Sequence, residues 1–224
     1  MTSLEVITVM GKSGAGKHRI VEAVRAIRGL RRVATGDYFR SAAASEASRN
    51  AARHGKWAPD AAADAYVAGE LSQCRGQGSR GCVIDGYPRT VPQAEKLLEL
   101  TRFRCDGGDR VGVVLVDTPD DVVVKRMQSR RVCSNGACAA VYNMEVMPPT
   151  PDGRCHRCGA RVEQRQDDAD EQRIRERLRQ FTEKTLPAIH LLEARGVPVR
   201  TVPGTLPFND NAALNQTLKH AIDW

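Results

Sequence analysis

The residues that most plainly carry chemistry in this chain are Gly11-Lys12-Ser13-Gly14-Ala15-Gly16-Lys17. Their Gly-x-x-x-x-Gly-Lys spacing follows the apolar run Val6–Met10 and precedes a helical pattern, as in a phosphate-binding loop. Glycines let the backbone curl until N–H groups point inward at an anion. Lys17 adds a full positive charge, and the helix that follows directs its positive end to the same place. A glycine-rich turn between strand and helix is the plainer alternative. The generic motif continues with Ser or Thr; here His18 and Arg19 follow. A hydroxyl that could touch phosphate or a metal shell is thereby missing, and Arg19 adds charge beside the loop.

A second group lies at Asp85-Gly86-Tyr87-Pro88-Arg89-Thr90, after the apolar run Cys82–Ile84. An acidic residue ending a buried strand beside a phosphate loop commonly organises Mg²⁺, directly or through water. Asp85 could equally cap the next helix. Arg89 stands one residue past a proline, on a stiff turn, where its guanidinium could grip a phosphate with two parallel hydrogen bonds.

Cysteine supplies the third signal. Cys74, Cys82 and Cys105 are scattered, whereas Cys133, Cys138, Cys155 and Cys158 fall in one stretch. Two paired knuckles of this kind suit four thiolates around a tetrahedral Zn²⁺ with no open position, which makes the site structural. His156 lies inside the second knuckle. Four unligated thiols, a disulfide pair and a zinc ribbon that binds nucleic acid are the alternatives.

The elements that must position these groups alternate between short apolar runs and longer helical patterns. That predicts an α/β fold, a parallel sheet flanked by helices. Strands are expected near 4–10, 31–34, 82–85, 111–117 and 197–202, and Val111–Val116 reads as buried on both faces. Ile20, Val21, Val24 and Ile27 share one face of the first helix. Helices are also expected over 120–130 and 170–194, where Pro187 should kink or interrupt the second. Residues 37–77 are Ala-rich and helical, with a break at His54-Gly55. Residues 131–168 have almost no aliphatic core and would need a metal to hold a fold.

The chain has 224 residues, enough for one well-buried core with inserted subdomains. No stretch approaches the length of an apolar membrane span, so no membrane partner is expected. The first strand begins within a few residues, so no leader is expected and cytoplasm is the default location. Lys and Arg number 34 against 27 Asp and Glu, a formal charge of +7 that suits anionic partners or a basic solvated surface. Aromatic residues are only 4% of the chain, too sparse for a platform that stacks single-stranded nucleic acid. Arg102, Arg161 and Arg195 read as ordinary surface cations.

In order and spacing, the motifs resemble adenylate kinase. They are the loop Gly11–Lys17, Thr35-Gly36-Asp37-Tyr38-Phe39-Arg40, and Asp85–Thr90 with Gln93. They continue with Asp117-x-Pro119-Asp120, Arg126, Arg130-Arg131, Arg165-x-Asp167-Asp168 and Ile174-Arg175-x-Arg177-Leu178. The resemblance spans nearly the whole chain. It implies reversible conversion of ATP and AMP into two ADP, by a P-loop core of residues 1–33, 64–130 and 169–224. Residues 34–63 would be an AMP-binding insert and 131–168 a lid.

The resemblance implies that ATP meets Gly14, Ala15, Gly16, Lys17, His18, Arg19, Arg126, Arg130, Tyr142 and Leu206. AMP would meet Thr35, Gly36, Arg40, Lys56, Trp57, Ala58, Gly86, Tyr87, Pro88, Arg89, Gln93, Arg165 and Arg177. Lys17, Arg89, Arg126, Arg130, Arg165 and Arg177 would surround the transferred phosphoryl group. Mg²⁺ would accompany ATP, reached by Asp85 through water, and Cys133, Cys138, Cys155 and Cys158 would hold structural Zn²⁺. The expected state is a monomer with no nucleic-acid partner. Clustered arginines repel one another, so an open state that closes on both nucleotides is expected.

The pattern departs from the family at several places. His18-Arg19 replaces Gly-Thr, Ser13 stands where Pro is frequent, Asn143 replaces a His, and the first knuckle is two residues longer. Leu206 and Phe208 differ where the chain borders the donor base. Two other readings therefore remain at this stage. One is a nucleoside monophosphate kinase with another donor or acceptor, such as GTP:AMP or UMP/CMP transfer. The other is a nucleotide-binding module of weak turnover.

Overall fold

The computed structural model describes residues 3–224 apart from 54–55, 139, 166–167, 169 and 208–209. The break expected at His54-Gly55, Asp167 of the acidic pair and the Phe208 position lie outside the described residues.

Five parallel strands form the central sheet: β1 (Glu5–Gly11), β2 (Arg31–Ala34), β3 (Gly81–Asp85), β4 (Arg110–Asp117) and β8 (Val199–Pro203). Their order is β2-β3-β1-β4-β8. Each lies within two residues of its expected position at either end. Side chains alternate across the sheet with period two. Val6, Met10, Cys82, Ile84, Val111 and Val113 enter one core. Ile7, Val9, Val83, Val114 and Val116 enter the other. Helices cover both faces, which is why β1 and β4 are apolar almost throughout.

On the second face lie α1 (Lys17–Arg28) and α9 (Asn211–Ala221). α1 buries Ile20, Val21 and Val24 as its periodicity predicts. On the first face lie α4 (Asp60–Gly76), α5 (Val91–Leu100) and α8 (Leu186–Ala194). Thr90 caps α5, its hydroxyl accepting the Gln93 N–H at 3.3 Å. At Gly112 in β4 the absent side chain leaves room for the Trp224 ring, which lies against the strand there. Between β2 and α4 run α2 (Thr35–Tyr38) and α3 (Glu46–Arg53).

Register places the functional loops along one edge. Val9 pairs with Asp85, and Gly11 with Val116, so the loops after β1, β3 and β4 leave the sheet side by side. Ligands in open α/β sheets bind along this carboxyl edge.

The α6 helix (Asp120–Ser129) leads into a separate antiparallel sheet of β5 (Arg130–Cys133), β6 (Val141–Asn143) and β7 (Val162–Glu163), in the order β6-β5-β7. Arg130 thus begins a strand rather than ending a helix. The small core of this sheet is Cys133, Ala140, Tyr142 and Cys155, with Met147, Ala160 and Val162 against it. The chain returns through α7 (Glu171–Gln180) and a π turn, Phe181–Thr185, into α8. Pro187 sits in the first turn of α8, and the Leu186 N–H reaches back to Phe181 O. The proline therefore coincides with a widened turn and the helix continues past it.

Candidate active site

The phosphate loop curls through Gly14 (φ +84°) and Gly16 (φ +98°), both left-handed positions that favour glycine. Met127 packs so close to Gly14 that a Cβ there would meet its Cγ at 2.7 Å. Gly16 caps α1, whose N-terminus opens onto the loop. Lys17 is folded back into the loop. Its Nζ donates to Gly11 O at 2.8 Å and Lys12 O at 2.7 Å. Burial is the main reason that its ammonium is pushed down to about 8; Asp85 pulls it up, and Arg89, Arg177 and Arg130 push it further down. Five charged groups from four parts of the chain therefore act on one another here. Lys12 turns away, to Thr118 O at 3.0 Å and Asp120 Oδ1 at 2.5 Å.

Two of these arginines share one acid. Asp168, whose side chain is fully enclosed, accepts from Arg130 Nε at 2.6 Å and Nη2 at 2.7 Å, and from Arg177 Nη1 at 2.9 Å. Arg177 Nη2 also donates to Ser13 Oγ in the phosphate loop at 2.8 Å. Asp168 is the organising residue that the site assignment from sequence left out. Its signal was present, an acid three residues after Arg165 in an arginine-rich stretch.

The Asp85–Thr90 turn is held from beneath. Tyr87 OH donates to Asp64 Oδ1 at 2.7 Å, and Thr90 Oγ1 and Gln93 Nε2 each donate to Asp60 at 2.7 Å. The acids of α4 thus orient the turn, a role without a local sequence signal. Arg89 donates through its backbone N–H to Gln93 Oε1 at 2.7 Å and through Nε to Gly86 O at 2.8 Å. At Gly86 (φ +84°) a Cβ would meet Arg89 Nη2 and Thr35 Oγ1 at 2.9 Å, so this close approach requires glycine. Burial first, and then Arg177 and Arg40 against the pull of Asp85, bring the Arg89 guanidinium down to about 10.

Two adjoining cavities open here. The first is lined by Gly11, Ser13, Lys17, Trp57, Gly86, Tyr87, Pro88, Arg89 and Arg177. The second is lined by Ser13, Thr35, Gly36, Arg40, Lys56, Trp57, Ala58, Gly86, Arg89, Gln93, Arg165 and Arg177. Ser13, Trp57, Gly86, Arg89 and Arg177 belong to both. Thr35 Oγ1 donates to Gly86 O at 3.0 Å, which ties the start of α2 to the turn. Arg40 Nη2 donates to Asp37 Oδ1 at 2.8 Å.

Other expected residues lie outside these cavities. Arg126 Nη1 reaches Gly204 O at 2.8 Å and Ala15 O at 3.3 Å, beside the phosphate loop. His18 is exposed on the first turn of α1. Arg19 extends toward the segment after β8. Its guanidinium donates to Leu206 O at 3.1 Å and Asp210 O at 2.9 Å, because the segment after β8 supplies carbonyls there. Tyr142 is 4% exposed inside the cysteine cluster, where its hydroxyl donates to Cys155 Sγ at 3.2 Å.

The four cysteine sulfurs lie within 4.8 Å of one another. Cys133 and Cys158 are 3.4 Å apart and Cys138 and Cys155 3.7 Å. Tetrahedral zinc with ordinary Zn–S bonds separates its sulfurs by about 3.8 Å, so the cluster fits a zinc site. The Tyr142 hydroxyl, against the opposing effect of burial, brings the Cys155 thiol down to about 6, and the Arg157 N–H adds to that.

A parallel sheet, a lysine-bearing phosphate loop and arginines shared by two cavities define a phosphate-loop phosphotransferase. The profile of the family described as "Adenylate kinase" matches residues 9–197. The chain is 35% identical to an adenylate kinase of Symbiobacterium thermophilum, over 92% of this chain and 94% of that protein. It is 32% identical to one of Thermotoga petrophila (91% and 92% covered) and 34% identical to one of Thermosipho africanus (88% and 91%). The chain belongs to the adenylate kinase family.

Proposed function

We infer that this chain transfers the terminal phosphoryl group of ATP reversibly to AMP, forming two ADP. The observation that carries the reading is the pair of adjoining cavities that share Arg89 and Arg177. One contains Lys17 and the phosphate loop; the other contains Thr35, Arg40 and Gln93. In this reading the donor phosphates lie against Gly14–Lys17 and the acceptor lies in the second cavity. Phosphoryl transfer needs positioning and charge neutralisation rather than a covalent intermediate on the protein. Lys17, Arg89, Arg126, Arg130, Arg165 and Arg177 would provide both. No general base is assigned.

Residues 34–63 would close over the acceptor and 131–168 over the donor, around a core of 1–33, 64–130 and 169–224. Closure excludes water, whose attack would hydrolyse ATP. The carboxylate of Asp85 acts on Lys17 at the phosphate loop, which suits a water-mediated partner for the Mg²⁺ that would neutralise nucleotide phosphates. Zinc on Cys133, Cys138, Cys155 and Cys158 would fasten the lid. The chain would act as a cytoplasmic monomer. No helix among the described residues is long and apolar enough to cross a membrane.

A coupled assay for ADP tests this, with ATP or GTP as donor and AMP, UMP or CMP as acceptor. The expected preference is ATP with AMP. Absence of ADP from that pair, with both nucleotides bound, would overturn the activity.

A further inference from the structure

Arg89 differs from the other arginines at the junction of the cavities. Arg130 and Arg177 rest on Asp168. Among the described residues no carboxylate forms an ion pair with Arg89. What faces its guanidinium is the Trp57 ring, 5.4 Å from centroid to Cζ, while Nε holds Gly86 O. The same ring carries a second cation, Lys184 Nζ at 5.6 Å. Both distances lie within the range of cation–π attraction, for which an indole is the strongest side-chain partner.

Lys184 belongs to the π turn, and so does Thr185, whose Oγ1 donates to the backbone carbonyl of Arg89 at 3.1 Å. One irregular turn therefore holds the Arg89 backbone through Thr185 and the ring beneath its guanidinium through Lys184. Such turns recur at functional sites. Trp57 comes from the segment before α4, whereas Arg89 and the π turn come from later parts of the chain. The ring is thus a non-covalent clasp between that segment and the turn that carries Arg89.

We propose that Trp57 is a positioning residue for the acceptor phosphate, seating the Arg89 guanidinium between the two cavities while Lys184 fastens the ring to the core. The choice of partner matters. A carboxylate on Arg89 would compete directly with an incoming phosphate. A π face holds the cation in place yet yields to a charge-assisted, two-pronged contact. Part of the ordering of a long side chain is then complete before the acceptor arrives. This rests on the second cavity being the acceptor site.

The test is steady-state kinetics with AMP and ATP varied in turn. Trp57→Leu is expected to raise the AMP KM about fivefold while the ATP KM moves less than about twofold. Trp57→Phe, which keeps a ring, should recover most of the loss. Lys184→Met, an exposed substitution that leaves the cavities intact, should raise the AMP KM about twofold. An unchanged AMP KM in Trp57→Leu, or equal losses in the Leu and Phe variants, would overturn the proposal. Should Trp57→Leu fail to fold, an unchanged AMP KM in Lys184→Met does the same. A wild-type chain that makes ADP from other acceptors but never from AMP would instead overturn the acceptor reading, and this inference with it.

Discussion

Lys17 is held by two carbonyls of its own loop, so its ammonium waits where a phosphate would displace them. The ammonium form is the one that attracts a phosphate, and its ordinary value is lowered to about 8. Below that pH Lys17 is charged; above it the charge is lost. The kcat/KM for ATP should therefore fall as pH rises through about 8, and a profile flat to pH 10 would contradict this. Asp168 is enclosed and holds two arginines. Asp168→Asn leaves both without their partner and should lower stability by about 3 kcal/mol, read from denaturant midpoints. A change within about 0.5 kcal/mol would show that the acid is not needed for the fold. Lys17, Arg89 and the cysteines were legible because their chemistry lies in local spacing. The partners of Arg19 and Tyr142 were not. Arg19 is directed by carbonyls of Leu206 and Asp210, far away in sequence, and Tyr142 by a sulfur that is near only after the lid folds.

The small antiparallel sheet joins three strands of two to four residues around a core of two cysteines, an alanine and a tyrosine. Such a unit buries too little apolar surface to hold without a staple. Purified protein should contain about one zinc per chain, and a strong chelator should expose residues 131–168 to proteolysis while the parallel sheet persists. A folded lid with no zinc would overturn the metal assignment. β1, β3 and β4 were readable to within two residues because doubly buried strands are continuous apolar runs. The lid strands carry no alternation that could announce them. Pro187 marked the place of an irregularity, but its form depends on backbone bonding that no residue type specifies.

At the level of the whole molecule, alternation of strands and helices gave the sheet, yet not its order. Placing β3 between β2 and β1 is a matter of crossover, and only that order brings Asp85 level with Val9. Two adjoining cavities predict that each ligand stabilises the chain on its own. AMP alone and an unreactive ATP analogue alone should each raise the melting temperature by several degrees at about a hundred times Kd. Together they should give at least the sum, since closure would gather cations that both ligands neutralise. A joint shift no larger than either alone would mean that the ligands compete for one place. The adjacency of β1 and β3 has one more consequence. Neighbouring strands lie about 4.8 Å apart, a spacing set by backbone hydrogen bonds that side-chain changes do not alter. The loop bearing Lys17 and the turn bearing Arg89 rise from these two strands, so the sheet itself acts as a ruler for the distance a phosphoryl group must cross. Loops beyond the sheet can diverge, and the ruler keeps its length.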